Sequence, residues 1–197
     1  TTEKARSSVC KSNMGQNYKL SAIFADDNNG MLPPTRAKSG IFYRSWHDHI
    51  YGYANSSFDY TIDDHYPALH ESWPKRNYFI CPSASQSQIE SKTGQAEPLY
   101  PLYASYGTNH HFVYQSDEVA SGEARYLGKI ANNVILYAEG SSTGTLDANL
   151  YPTAYGVWLR HLQKSNYVFT DGHTEDSDTY HVGGYARYLS TPWNPTP

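Results

Sequence analysis

The chain of 197 residues is poor in cysteine, in long apolar runs and in net charge. It holds two cysteines, so it lacks the paired C-x-x-C motifs of many zinc sites, and it has no H-E-x-x-H motif. No apolar run approaches the roughly 18 residues that a membrane-spanning helix needs. The formal net charge of -4 is far from the basic excess of a nucleic-acid binder. These absences argue against a membrane span within this sequence and against a nucleic-acid partner.

The residues that are abundant suggest a different kind of domain. The chain has 19 tyrosines, 11 prolines and nine histidines, and it is short of leucine, isoleucine and valine. Such a composition predicts a single small domain, 1–197, with an aromatic core and long Tyr-rich loops. Many extracellular domains have this composition.

The cysteines Cys10 and Cys81 leave two alternatives open. They are either free thiols or the ends of one bridge. A bridge across so long a loop would contribute about 4 kcal/mol in the chain-entropy model and would need an oxidising compartment.

The first segment, residues 1–29, has the apolar periodicity of a helix from about Thr2 to Asn28. Its apolar face is predicted to hold Val9, Cys10, Met14, Tyr18, Leu20, Phe24 and Ala25. Asn28-Asn29-Gly30 is a C-terminal stop, and the two prolines that follow prevent continuation. The start carries no comparable signal, so we expect a helix that continues upstream of Thr1.

The remainder predicts short strands and loops. Strands are expected at 40–44, 77–80, 105–114 and 133–139, and a terminal hairpin at 156–162 and 167–170. Residues 47–70 are expected to form a long loop within a strand and loop insert, 40–80. The sheet with its hairpin spans 100–175, and the tail, 190–197, is expected to be poorly ordered. Without regular strand and helix alternation, the fold class is α+β, an N-terminal α-helix on an antiparallel sheet.

The stretch RHLQKSNYVFTDGHTE, residues 160–175, invites a catalytic interpretation. If the predicted hairpin is regular, His161 and Asp171 lie on one face and can form a charge-assisted hydrogen bond. We interpret them as a structural clasp, with Gly172 in the turn, because no nucleophile is evident for them to orient. The chain is therefore expected not to be an enzyme.

Several segments together resemble one family. Residues 5–34 (ARSSVC to MLPP), 78–83 (YFICPS), 105–112 (SYGTNHHF) and 134–140 (VILYAEG) are similar, in order, to blocks of bacterial prepilin-like proteins, the pseudopilin and type IV pilin relatives. His161, nine residues, then Asp171 and Gly172 match the family's terminal H-x9-D-G signature. The resemblance implies a pilin-like fold whose helix packs on an antiparallel sheet.

The resemblance also implies a setting. A prepilin leader and an apolar helix of about 20 residues would precede Thr1 and anchor the protein in the inner membrane before assembly. The domain would be exported to the periplasm or cell surface, its helix would contact other pilin-like subunits, and Cys10 and Cys81 would form a disulfide. Asn17 and Lys19 depart from the family's apolar helix face, and Gly15 weakens the helix by about 1 kcal/mol relative to alanine. The insert 47–70 has no counterpart in the shared pattern.

Calcium is the one cofactor that the resemblance suggests, since pseudopilins include calcium-binding members. The acids near the C-terminus are the candidate ligands: Asp171, Glu175, Asp176 and Asp178. Calcium takes six to eight oxygens, so carbonyls and waters would have to complete the set. His47, His49 and His65, with neighbouring acids, are more simply solvated loop residues than zinc ligands.

The insert carries a cluster of aromatic residues with polar neighbours: Trp46, Tyr51, Tyr53, Tyr60, Tyr66 and Trp73. Exposed, they would form a glycan- or protein-binding surface; buried, they would form a small core beneath a loop. Two functions are thus predicted. The first is a structural subunit of a type II secretion pseudopilus or type IV pilus-like filament. The second is an extracytoplasmic binding module on the same scaffold.

Overall fold

The computed structural model describes residues 2–33, 36–39, 42–54, 78–79, 81–83, 106–109, 126–139, 149–150 and 159–178. Its helices are α1 (Glu3–Asp27) and α2 (Trp46–Ala54). Its strands are β1 (Arg36–Ser39), β2 (Phe42–Ser45), β3 (Tyr106–Asn109), β4 (Ile135–Glu139), β5 (Asn149–Leu150), β6 (Ser165–Phe169) and β7 (Thr174–Ser177). A 3₁₀ turn, Leu127–Lys129, precedes β4.

Helix α1 confirms the predicted N-terminal helix and its stop. The Gly30 amide donates to the Ala25 carbonyl at 2.7 Å, and Asn29 and Gly30 have φ values of 55° and 84°. Left-handed residues of this kind end a helix by turning the chain back on its last carbonyls. The Asn28 side chain donates to the Phe24 carbonyl at 2.7 Å, which satisfies a further free acceptor.

The buried face of α1 is more polar than its apolar pattern predicts. Cys10, Met14, Asn17, Ser21 and Ala25 are buried, at helical spacings of three and four. The prediction for Val9 was wrong, since half of that residue is exposed. The Ser21 hydroxyl and the side-chain nitrogen of Asn17 form hydrogen bonds within the interface, whereas Asn17 Oδ1 has no hydrogen-bond partner there.

Two of those bonds show how α1 is fastened. The Asn17 amide donates to the Tyr78 carbonyl at 3.1 Å. Ser21 Oγ lies 2.6 Å from the hydroxyl of Tyr137 on β4. Asn17, a departure from the resembled family, therefore ties the helix to the segment that carries Cys81.

The main sheet has the order β5-β3-β4-β6-β7. Its four strands β3, β4, β6 and β7 are antiparallel, and β5 adds to β3 in parallel. Strands β1 and β2 form a separate antiparallel pair. The α+β class, with an N-terminal helix and a four-stranded antiparallel sheet, is confirmed.

Helix α1 contacts α2 and also packs on β6 and β7 of the sheet. The core between the helix and the sheet is aromatic, as the composition predicts. Trp46, Tyr106, Tyr137 and Phe79 are all at most 1% exposed. Trp46 stacks on Tyr137 with 4.4 Å between ring centroids.

The predicted hairpin is confirmed in its second strand, which is β6, and was wrong in the position of its turn. The terminal hairpin joins β6 to β7, with Tyr167 opposite Glu175, so it lies one strand later than predicted. Residues 161–164 form a tight turn instead, in which Leu162 and Gln163 both have positive φ. Residues 156–158 of the predicted first strand lie outside the described residues.

Two further predictions in the insert were wrong. Residues 47–54, expected in a loop, belong to α2, and Tyr78 and Phe79, expected in a strand, form a turn. The buried residues Trp46 and Ile50 of α2 span one helical turn, which is too short to define a helical period in the sequence. The tail, 190–197, lies outside the described residues. No helix in the described part of the chain is long and apolar enough to cross a membrane.

Candidate functional site

Four side chains with metal-binding or acid–base chemistry meet between α1 and the sheet: Cys10, Cys81, Glu139 and His161. Their ligand atoms all lie within 4.8 Å of one another. Each residue is at most 3% exposed. We call these four residues the buried cluster.

Four separate parts of the fold supply the buried cluster. Cys10 lies on the sheet-facing side of α1, and Cys81 follows the turn at 78–79. Glu139 ends β4, whose residues are all buried. His161 opens the tight turn that leads into β6. The cluster therefore exists only when helix and sheet are assembled.

One oxygen of Glu139 is the centre of the buried cluster. Its Oε1 lies 2.7 Å from Cys10 Sγ, 3.3 Å from Cys81 Sγ and 2.7 Å from His161 Nε2. Its Oε2 accepts the backbone N–H of Asn166 at 2.8 Å. The bond from β6 holds the carboxylate so that Oε1 faces the two sulfurs and the imidazole.

A second carboxylate orients His161 from the other side. His161 Nδ1 lies 2.5 Å from Glu3 Oε1, and the Ser83 hydroxyl donates to the same oxygen at 2.7 Å. Glu3 belongs to the first turn of α1. Both ring nitrogens thus face carboxylates, and Nε2 is directed into the buried cluster.

Further donors approach the two sulfurs. The hydroxyl of Tyr106 lies 3.0 Å from Cys10 Sγ, and the backbone N–H of Ser83 donates to Cys81 Sγ at 3.4 Å. Tyr106 is paired with Glu139 across β3 and β4. The Ser83 amide, placed in this way, stabilises negative charge on Cys81 Sγ.

The buried cluster separates the pKa values of its two thiols. The hydrogen bond from Cys10 lowers the pKa of Cys81 to about 6 despite the opposing effect of burial, and the bond with His161 adds to the lowering. Burial raises the pKa of Cys10, and the hydrogen bond to Cys81 and the charge of Glu139 raise it further. The arrangement therefore favours a thiolate at Cys81 and a thiol at Cys10.

The pKa of the His161 imidazole is shifted in the direction opposite to the effect of burial. Burial by itself lowers the pKa of His161, but hydrogen bonds with Cys81, Glu139 and Glu3, with the charge of Glu139, outweigh it and raise the pKa to about 10. For Glu3, the hydrogen bond from Ser83 lowers the pKa, burial opposes this, and His161 adds to the lowering. His161 is thus an imidazolium held between two carboxylates.

Three kinds of chemistry fit a thiol pair beside His and Glu: a nucleophilic thiolate, a disulfide or a metal site. A nucleophile needs partial exposure to meet a substrate, whereas Cys81 is 0% exposed. The cysteines are free thiols that share one buried cluster, so the predicted disulfide between them stays a prediction. A metal site uses all four side chains at once.

The predicted clasp between His161 and Asp171 was wrong. His161 pairs with Glu3 and Glu139, whereas Asp171 accepts from the backbone N–H of His173 at 3.1 Å and lies 2.5 Å from its ring. Asp171 lies at the tip of the β6–β7 hairpin, away from the turn that holds His161. The mistaken hairpin register produced the mistaken pair.

Gly172 has a structural role that the sequence indicated only as a turn. Its φ is +86°, and a Cβ built on it would lie 2.5 Å from Cε1 of Tyr18. The Tyr18 hydroxyl donates to the Thr170 carbonyl at 3.1 Å. The hairpin tip therefore docks on α1 through a position that only glycine fits.

The four acids proposed as calcium ligands do not converge on one site. Asp176 pairs with Lys11 and Lys164, and Asp171 pairs with His173. Within the described residues the buried cluster is the only group whose ligand atoms converge. Calcium binding at Asp171, Glu175, Asp176 and Asp178 stays a prediction, without a preformed site.

The predicted ligand surface is corrected at Trp46, which is 1% exposed and belongs to the core. Its indole is held between Tyr137 and Phe79, as the alternative of a small aromatic core predicts. Tyr53 is exposed, and Tyr51 lies in α2. Tyr60, Tyr66 and Trp73 lie outside the described residues.

Sequence reasoning missed Glu139 and Glu3 as site residues. A signal was present at Glu139, because an acid ending an otherwise apolar strand must find a partner when the strand is buried. Glu3 gave no such signal, since acids are common in the first turn of any helix.

Comparison of the chain with protein-family models, curated proteins and solved structures gave no match.

Proposed function

We propose that the chain is the globular part of a non-enzymatic, pilin-like subunit of a type II secretion pseudopilus or a type IV pilus-like filament. The observation that carries the proposal is the packing of a 25-residue N-terminal helix across the β6–β7 end of an antiparallel sheet. A helix placed in this way can serve as the polymerising element while the sheet faces outward. The residues of the H-x9-D-G signature have architectural contacts that suit this role.

Two signature positions support the helix-on-sheet arrangement directly. His161 connects the first turn of α1 to β4 through Glu3 and Glu139. Gly172 seats the hairpin tip against Tyr18 on α1. A signature in which two of three members, His161 and Gly172, join the helix to the sheet suits a structural subunit.

The outward side of α1 offers a surface for neighbouring subunits. Val9 is 50% and Ile23 47% exposed, and at 100° per residue they lie on one side of the helix, well away from the buried face. We propose that this side, with the apolar helix expected upstream of Thr1, packs against other subunits. Exported to the periplasm or cell surface, the domain would need no cofactor for that role.

The proposal is tested on the natural, full-length protein in its own cells. We expect a leader cleaved beside an apolar segment of about 20 residues and recovery of the protein in a sheared filament fraction. Val9→Asp should lower that recovery severalfold while the purified domain keeps its melting temperature. Ser8→Asp is the matched control, since it adds the same charge to an exposed residue about 100° further round the helix.

Two outcomes would overturn the proposal. One is a cleavable secretory signal in place of the apolar segment. The other is a protein found only in soluble fractions, or a filament recovery that is the same for Val9→Asp and Ser8→Asp. The alternative of a glycan- or protein-binding module loses Trp46, which is buried, and keeps Tyr53, which is exposed.

A further inference from the structure

We propose that Cys10, Cys81, Glu139 and His161 form a closed structural site for a divalent, zinc-like metal ion. The donors would be two sulfurs, Nε2 of the imidazole and Oε1 of the carboxylate, whose ligand atoms lie within 4.8 Å of one another. Zinc takes four S, N and O ligands of these types in tetrahedral sites. The inference concerns the folding of this chain and does not depend on the proposed filament role.

The first argument is the crowding at Glu139. Two sulfurs and one ring nitrogen all approach the single oxygen Oε1, which has two lone pairs to offer. Hydrogen bonds from Cys10 and His161 fill these two lone pairs, so Cys81 Sγ has His161 Nε2 and the Ser83 amide as its other partners. A cation between the four atoms makes each of them a ligand of one centre.

The second argument is the support behind each ligand. Metal-binding histidines commonly present one ring nitrogen to the metal and hold the other against a carboxylate. His161 has this arrangement, with Nε2 in the buried cluster and Nδ1 at 2.5 Å from Glu3. Glu3 is itself held by Ser83, so the ring orientation is set before any metal enters.

The sulfurs and the carboxylate have comparable support. Tyr106 approaches Cys10 Sγ, and the Ser83 amide donates to Cys81 Sγ, as expected around metal-bound thiolates. The Asn166 amide donates to Glu139 Oε2 and leaves Oε1 free to ligate. Every member of the buried cluster is thus oriented by a group outside it.

The third argument concerns the choice of ion and the size of the site. Two sulfur ligands favour zinc or a similar ion that accepts soft ligands over calcium and magnesium, which prefer oxygen ligands. Zinc bonds of about 2.0 to 2.3 Å place tetrahedral ligands roughly 3.3 to 3.8 Å apart. The sulfur–nitrogen separation of 3.4 Å between Cys81 and His161 already matches, while the 2.7 Å contacts of Oε1 would open by about half an ångström or more.

The burial of all four ligands identifies the role as structural. A catalytic zinc site keeps an open coordination position, whereas these residues are at most 3% exposed. The site joins α1, the segment at 81–83, the end of β4 and the turn before β6. On binding, ligand atoms that carry protons release them to solvent, and the metal occupies the place of those protons.

The proposal competes with the disulfide that the family resemblance implies. A Cys10–Cys81 bond would remove both sulfurs as thiolate ligands, so the two states exclude each other in one molecule. The disulfide accounts for two members of the buried cluster, whereas the metal accounts for all four and for Glu3.

Cobalt(II) is the probe, because zinc sites accept it and it reports thiolate ligands by its absorption. The reduced, metal-free chain of 197 residues is titrated with Co²⁺ and then with Zn²⁺. We expect thiolate-to-cobalt charge-transfer and intense tetrahedral d–d bands that saturate at a single equivalent and disappear when zinc is added. Zinc should also raise the melting temperature of the metal-free chain.

Variants assign the ligands. Cys81→Ser should remove most of the charge-transfer intensity, and Glu139→Gln should weaken the affinity and alter the d–d bands. Glu3→Gln should lower the affinity about 10- to 100-fold with the band shape kept, as expected for a positioning residue. His173→Gln is the matched control, since His173 also lies against a carboxylate, is exposed and stands outside the buried cluster; its titration should equal that of the parent chain.

The titration of the parent chain decides the proposal even if a variant does not fold. Absence of the cobalt bands from a reduced chain whose circular dichroism shows it to be folded would overturn the metal site. A second result would also overturn it. If chain isolated from its native compartment and unfolded without reductant shows no free thiol, both sulfurs are oxidised. Filament recovery is read separately, so failure of either proposal leaves the other intact.

Discussion

His161 Nδ1 lies 2.5 Å from Glu3 Oε1, which joins two residues that are 158 positions apart in the chain. The contact brings the first turn of α1 onto the turn that precedes β6. On its other side the same imidazole meets the fully buried Glu139. His161 is therefore the point at which the start of the helix is fastened to the sheet.

Replacement of His161 by alanine should be strongly destabilising. It leaves the buried Glu139 carboxylate without its imidazole partner, and removal of one member of a buried pair costs about 3–5 kcal/mol. The melting temperature, followed by circular dichroism, should fall by many degrees. His173→Ala removes a histidine from a half-exposed pair with Asp171 and should change the melting temperature little. Equal melting temperatures for parent and His161→Ala would contradict this role.

Gly172→Ala should also destabilise the fold, by about 1–3 kcal/mol. The added Cβ would lie 2.5 Å from the Tyr18 ring at a φ of +86°, which combines overpacking with a backbone conformation that alanine disfavours. Gly15→Ala is the matched control, because a Cβ there meets nothing within 4 Å on a helix. It should stabilise by about 0.5–1 kcal/mol. Urea unfolding of the variants would contradict the account if both substitutions changed stability in the same direction.

Asp176 should give the domain a modest stability that is lost in acid. Hydrogen bonds from Lys11 and Lys164 lower the pKa of Asp176, so its contribution is present above its unfolded pKa of about 3.9 and disappears as the pH falls through the folded value. The groups are partly exposed, and we expect less than about 1 kcal/mol.

The test for Asp176 is urea unfolding of Asp176→Asn and the parent chain at several pH values. The stability difference should be present at pH 7 and shrink below about pH 4. Asp26→Asn makes the same charge change at an exposed position of α1, away from both lysines, and should show no such trend. A stability difference between Asp176→Asn and the parent chain that grows in acid would contradict the prediction.

Trp46→Ala should unfold the helix–sheet core and should not create a selective loss of ligand binding. The indole is 1% exposed and stacks on Tyr137, and removal of a buried tryptophan costs about 3–5 kcal/mol. Tyr53→Ala, at an exposed position of the same helix, should cost far less. Calorimetry of the two variants measures the contrast, and comparable melting temperatures would return Trp46 to the candidate ligand surface.

The sequence by itself determined the elements whose signals are local. The Asn29-Gly30 stop defined the C-terminal end of α1, which lies at Asp27, whereas the start of the helix carried no local signal. The apolar run at 134–138 defined β4, since a short run of that kind bounded by turn residues favours a buried strand. The α+β class followed from the order of these elements.

Tertiary structure alone decided which residues of the site meet. The hairpin was placed one strand early because Trp158 to Leu162 alternates like a strand, whereas the chain turns at Leu162 and Gln163 with positive φ. That turn directs His161 toward Glu3 and Glu139 and away from Asp171. Contacts between residues 10, 81, 139 and 161 depend on how the helix is docked on the sheet, and no local pattern in the sequence encodes that docking.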